Sequence, residues 1–332
     1  MKREYWLDNL RAFACILVVI GHLLRGLIPV INLPNESYFK LFVDFIYYFH
    51  VYIFFFCSGF LFERVYSNME NEKYYRKKAI RILDLLVPYF FFSTVQHYMK
   101  VLFSGVVNRA SGESLFYDYF IVPQNQMWFL IALSIITLLI PRINSVKRVY
   151  ILFVVCFVIK VMNSFELFGT HMIVQNVCAN MIWYALGIIY AYYNMHLKNK
   201  SWLLIGVGYI ALFIYTKLYS SNSFTTASLT FLGITFFVYI FENYIYKQYG
   251  KNNSISLIAK YMMQIYLLHT ILCAAIRIVL MKLGIDIWWI HLFLGFFCSV
   301  YVSVFVAAIF DKIWFFNIIF FPSKVIRKIK AM

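Results

Sequence analysis

Arg11 and His22 are the residues of this chain whose types and spacing could do chemistry. Both lie at the ends of one apolar run that opens on Asp8-Asn9-Leu10-Arg11 and closes on Gly21-His22. Eleven positions separate them, almost three turns of an α-helix. A single helix therefore presents both side chains from one face, roughly 16 Å apart along its axis. Asp8, Cys15 and Arg25 fall on or beside the same stripe. An ionisable pair inside a membrane span is costly to bury and marks a partner, a cavity or a reaction. Neutral imidazole can take a proton from a hydroxyl near neutral pH, and a guanidinium is a planar fork of donors suited to phosphate or amide oxygens. The bland alternative for His22 is a histidine that hydrogen-bonds a neighbouring helix.

The elements that hold this pair follow from composition. Of 332 residues, 63% are hydrophobic and 13% charged, and the mean hydropathy is +0.75; a soluble domain carries about 25% charged residues. The pattern predicts an all-α polytopic membrane protein, a bundle of about ten transmembrane helices. The spans fall near 10–31, 42–63, 79–103, 126–141, 149–165, 173–193, 201–219, 227–246, 262–281 and 287–311, by the rule that a crossing takes about 20 apolar residues. The fourth and fifth are short, so either they borrow flanking residues such as Tyr119 to Val122, or one is tilted or broken. One integral-membrane domain, 1–332, is expected, with no soluble domain appended.

The net charge of +16 would suit nucleic acid if it gathered on one soluble face. Instead it gathers in every second loop, which marks the cytoplasmic side and argues against nucleic acid. With the N-terminus inside, 21 Lys and Arg lie in cytoplasmic segments, 7 in external ones, and Arg11 and Lys160 within spans. Both termini are then cytoplasmic. The densest clusters are Arg64 to Arg81, Arg142 to Arg148 and the tail Lys324 to Lys330, most of it ordinary topology signal. The first apolar run is too long for a signal-peptide core and lacks a cleavage site, so it is expected to stay attached. All six cysteines lie within apolar spans without a Cys-x-x-Cys pair, which suggests neither disulfide framework nor zinc site. No metal is expected.

Several segments resemble the membrane acyltransferase 3 family, which moves acyl groups, commonly acetyl from acetyl-CoA, onto sugars of surface polysaccharides. Asp8-x-x-Arg11 followed by His22 is similar to the family's first-helix signature. Phe49-His50-Val51-Tyr52-Ile53-Phe54-Phe55-Phe56-Cys57-Ser58-Gly59-Phe60-Leu61-Phe62 resembles its second-helix motif. Arg76-Lys77-Lys78-Ala79-Ile80-Arg81 with Pro88-Tyr89 resembles its basic approach to the third helix, Met127-Trp128-Phe129-Leu130 its Trp-Phe-Leu segment, and Ile265-Tyr266-Leu267-Leu268-His269 its late Tyr-Leu-Leu-His ending. Where the family often has two arginines two residues apart, this chain has Lys78 and Arg81, which makes phosphate contacts less fork-like.

The resemblance implies an O-acetyltransferase of a cell-surface or lipid-linked glycan, as in exopolysaccharide biosynthesis. It would be a multi-pass protein of the plasma (inner) membrane, in contact with membrane lipid and with other polysaccharide-biosynthesis membrane proteins as further partners. His22 is expected as the base, by direct transfer rather than through an acyl-imidazole. Arg11 would hold the phosphate or pantetheine amides of acetyl-CoA, with Arg76, Lys78 and Arg81 at the nucleotide phosphates. His50 would orient the acceptor, its alternative role being structural. Trp128 would stack on a sugar or anchor at the interface. Ser58 and Gly59 read as close packing rather than a nucleophile, and Tyr266 and His269 as packing or hydrogen bonding. His97, His171, His196 and His291 receive no role. Acceptor specificity is expected in loops 104–126 and 163–172. The rival function is a transporter or flippase of lipid-linked glycans, which also needs many spans and intramembrane charge, but the paired Gly- or Pro-broken helices that would favour it are not evident.

Overall fold

The computed structural model describes residues 3–103, 114–197, 202–245, 253–320 and 322–331; among these every regular element is a helix. In chain order they are α1 (Tyr5–Leu27), α2 (Glu36–Tyr47), α3 (His50–Tyr66), α4 (Asn71–Leu102), α5 (Leu115–Phe120), α6 (Trp128–Leu139), α7 (Val146–Ser164), α8 (Met172–Tyr192), α9 (Trp202–Leu218), α10 (Ser223–Asn243), α11 (Ser254–Lys282), α12 (Trp288–Phe297), α13 (Ser303–Phe310), α14 (Trp314–Phe320) and α15 (Pro322–Ala331). Starts are set by side-chain caps. Ser145 accepts from the Arg148 N–H, Asn253 from that of Ile255, and Asn222 forms a reciprocal capping box with Thr225, which satisfies donors that a first helical turn leaves open.

The expectation of about ten crossings meets, among the described residues, seven helices long and apolar enough to cross a bilayer: Tyr5–Leu27, Glu36–Tyr66, Asn71–Leu102, Met172–Tyr192, Ser223–Asn243, Ser254–Lys282 and Trp288–Phe310. The three remaining segments are also helical. Asn125–Leu139 and Trp202–Leu218 are shorter apolar helices, and α7 carries Lys147, Arg148 and Lys160 along its 19 residues. Tyr119 to Val122 do not extend the fourth segment: they form the end of α5 and the turn after it, and a 3-10 turn at Asn125–Met127 intervenes. The expected fifth span holds its one central cation by pairing, since Lys160 donates to the Ala179 carbonyl (3.2 Å) and lies 5.5 Å from the Trp183 ring. Of the loop expected to set specificity, 104–113 lies outside the described residues, as do the side chains of 327–332 in the basic tail.

The chain forms two compact units. The first comprises Met1–Cys57 and Asn194–Val304; here α1 packs along α11 and also meets α2, α10 and α12, while α9 packs on α10. Close approach rests on glycines: a Cβ on Gly233 would meet that of Phe49 at 2.7 Å, and one on Gly295 would meet Leu23 at 2.6 Å. The helix α12 passes through a π turn at Cys298–Val302. The second unit comprises Ser58–Tyr193 and Phe305–Met332, with α6 between α4 and α8, α7 on α8, and α14 and α15 on α4. A Cβ on Gly59 would fall 1.9 Å from the Tyr184 carbonyl oxygen, so α3 and α8 touch backbone to backbone there.

Candidate functional site

His22 sits near the end of α1 in the first unit. It is half-buried, and among the described residues its ring nitrogens accept and donate no hydrogen bond. The ring meets that of His269 on α11 edge to face, with centroids 5.1 Å apart and planes at 64°. Gly21 lets Tyr47 press directly against α1, since a Cβ there would meet the Tyr47 ring at 2.8 Å. The Tyr47 ring in turn meets that of His50 at 4.6 Å, and the Arg25 guanidinium lies 4.1 Å from the Tyr47 centroid. Arg25, His50 and His269 are all close enough to act electrostatically on His22. Three imidazoles and one guanidinium therefore gather around the end of α1.

Two of these imidazoles have their protons placed by backbone. His269 is fully buried; its Nδ1 lies 3.1 Å from the Ile265 carbonyl and 2.8 Å from that of Tyr266. A carbonyl only accepts, so Nδ1 carries the proton and Nε2 is left as a bare lone pair. That Nε2 is buried without a partner. His50 repeats the arrangement, with Nδ1 donating to the Ile46 carbonyl at 2.6 Å. The backbone of α11 at His269 is itself held from α12, because Ser299 donates to the His269 carbonyl (3.4 Å) and lies 3.0 Å from Cys273 Sγ. Below this layer Arg277, buried, donates to the Gly26 carbonyl at 2.7 Å.

Arg11 occupies the opposite end of the same helix. It is a quarter exposed, 3.8 Å from Asp8, which also receives the Arg3 Nε at 2.6 Å. The stripe between Arg11 and His22 is covered: Cys15 is 0% and Val18 1% exposed, and Cys15 Sγ donates to the Met262 carbonyl of α11 at 3.8 Å. The unbroken helix keeps the predicted face and spacing of the pair.

The remaining expected ligands lie in the second unit. Lys78 is buried, and its amine donates to Tyr74 Oη (3.1 Å) and to the Ile140 carbonyl (2.9 Å). It ties α4 to the end of α6 and keeps only one N–H for anything else. Arg81 is half-buried and Arg76 exposed; neither makes a hydrogen bond or ion pair among the described residues. Trp128 opens α6, half-buried, its ring 6.3 Å from that of Phe129.

A polar network in the second unit has no sequence signature. His97 Nδ1 lies 2.6 Å from Asp118 Oδ2, the Gln124 amide donates to the same oxygen, and Asn125 donates to Gln96 Oε1 at 3.1 Å. These side chains come from α4, α5 and the 3-10 turn, too far apart in sequence for any spacing rule. Arg277 is missed for another reason: a single arginine near the end of a span reads as an interfacial charge until its partner Gly26 is seen.

A family model described as an acyltransferase domain matches residues 4–308, nearly the whole chain and both units. No curated protein and no solved structure matches it.

Proposed function

The chain belongs to the membrane acyltransferase 3 family, and on that premise we propose that it moves an acetyl group from cytoplasmic acetyl-CoA to a hydroxyl of a cell-surface or lipid-linked glycan. A multi-pass membrane acyltransferase needs a base within its helices, because a sugar hydroxyl is a poor nucleophile at neutral pH. The observation that carries the reading is His22, an imidazole with no hydrogen-bond partner among the described residues, beside His269, whose buried Nε2 also lacks one.

In this reaction His22 takes the proton of the acceptor hydroxyl as its oxygen bonds to the thioester carbonyl carbon. Collapse of the tetrahedral intermediate breaks the C–S bond, and the coenzyme A thiolate recovers the proton from His22. The base ends as it began, and no acyl-histidine is needed. Arg11 serves the donor's phosphate or pantetheine amides, and Arg76 and Arg81 its nucleotide phosphates. Lys78, with its amine already engaged, contributes mainly charge. His50 offers its Nε2 to a second hydroxyl of the acceptor, and Trp128 an aromatic face to a sugar ring. With both termini cytoplasmic in the plasma membrane, the acyl group crosses while the cofactor does not.

The test is His22→Ala in the native cell. It should remove acetyl esters from the surface glycan, read by mass and proton spectra, and leave polymer export unchanged. Export lost with no acetylation in the parent strain would replace this reading with transport of the glycan.

A further inference from the structure

His269 is fully buried, yet its Nε2 has no partner. Its tautomer is not free to change so as to hide the lone pair, since Nδ1 donates to two carbonyls of its own helix. What that lone pair lacks is a donor. The nearest ring is His22, at a centroid separation of 5.1 Å with the planes at 64°; a ring nitrogen lies about 1.2 Å from its centroid, so at this separation an N–H of His22 turned toward the lone pair comes to hydrogen-bond distance. His22 itself has no other hydrogen bond among the described residues to oppose that rotation. The α11 backbone that carries His269 is pinned from the next helix through Ser299, so the acceptor is the fixed partner and His22 the one that turns.

We propose that His269 is a positioning residue for His22: its bare Nε2 accepts the His22 N–H, fixes which nitrogen of that ring carries the proton, and presents the other, unprotonated nitrogen to the acceptor hydroxyl. The inference rests on the proposed reaction, in which His22 is the base. A carboxylate would orient the imidazole in the same way, but it would bring a charge into the span, whereas a neutral imidazole orients without one. His269 keeps its Nδ1 proton throughout and exchanges none with the substrate. The arrangement also explains why two histidines from distant parts of the chain meet edge to face, although the backbone carbonyls of α11 satisfy only Nδ1 of His269.

The test uses the full-length protein in nanodiscs with the variants His269→Phe and His269→Gln. Phenylalanine fills the space but accepts nothing; kcat should fall roughly 100-fold while KM for acetyl-CoA stays unchanged. Glutamine restores an acceptor oxygen and should recover activity to within about tenfold of the parent. Nitrogen-15 histidine spectra, with His22 identified by its loss in His22→Ala, should show one tautomer of His22 in the parent and a mixture in His269→Phe. A phenylalanine variant with parental kcat, or with an unaltered His22 tautomer, overturns the proposal. If the parent transfers acetyl to no acceptor, the reaction assigned to the protein fails, and the tautomer measurement still decides whether His269 orients His22.

Discussion

Among single residues, Arg11 and His22 were legible because helical periodicity alone puts positions eleven apart on one face, and the helix that carries them is unbroken. Their surroundings were not. Periodicity says nothing of which distant helix lies opposite, so the meeting of His22 with His269, and of Gly26 with Arg277, appears only in the packing. The phosphate role expected of Lys78 rested on the resemblance of its basic segment, which carries no information about burial against Tyr74 and the Ile140 carbonyl, where two of its donors turn inward. In the proposed reaction the fork of Arg11 matters more than its charge. Arg11→Lys keeps the ion pair with Asp8 but loses the bidentate contact proposed with the donor, and KM for acetyl-CoA should rise roughly tenfold with kcat little altered. Steady-state kinetics with varied acetyl-CoA check this; a fall in kcat at constant KM would place Arg11 at the reacting atoms instead.

The helices show where close approach is compulsory and where it is incidental. Gly59 was read as a packing residue, and its missing Cβ is what admits the Tyr184 carbonyl, whose oxygen would lie 1.9 Å from any Cβ placed there. Gly59→Ala should therefore force α3 from α8 and lower stability by about 3 kcal/mol. Gly208→Ala, whose Cβ would find its first neighbour at 4.0 Å, should be silent. Denaturant midpoints of the purified variants distinguish the two; equal midpoints would mean that α3 yields without cost. Among the described residues, each of the ten apolar segments read from the sequence is mainly helical. Their ends were the harder part, because chain-local signals compete there: polar Gln124, Asn125 and Gln126 favour a turn over continued helix, and α6 starts late for that reason. Tyr261 departs from helical geometry within α11 (φ −105°, ψ 19°), one residue before the ninth expected span begins.

At the scale of the whole molecule the basic loops and apolar helices make a membrane protein, and the proposed topology gives a sidedness to its chemistry. Sealed right-side-out vesicles supplied with acetyl-CoA only in the lumen should acetylate an acceptor presented outside; product formed only when the thioester is added outside would reverse the orientation. The match of one family model across both compact units was foreshadowed by motifs scattered from Asp8 to His269, whereas the division into units was not, because the chain leaves the first at Ser58 and returns at Asn194. The π turn at Cys298–Val302 sets a condition on how such a protein can change. A wide turn stores a surplus residue, so excising one residue there would leave a continuous α-helix with its flanking faces still in phase, whereas the same excision in a regular turn would swing everything beyond it by about 100°. Ser299, which braces the carbonyl of His269, sits inside that turn. The stretch can therefore lose one residue and hand the chain on in the same orientation, a latitude that the regular turns before it lack.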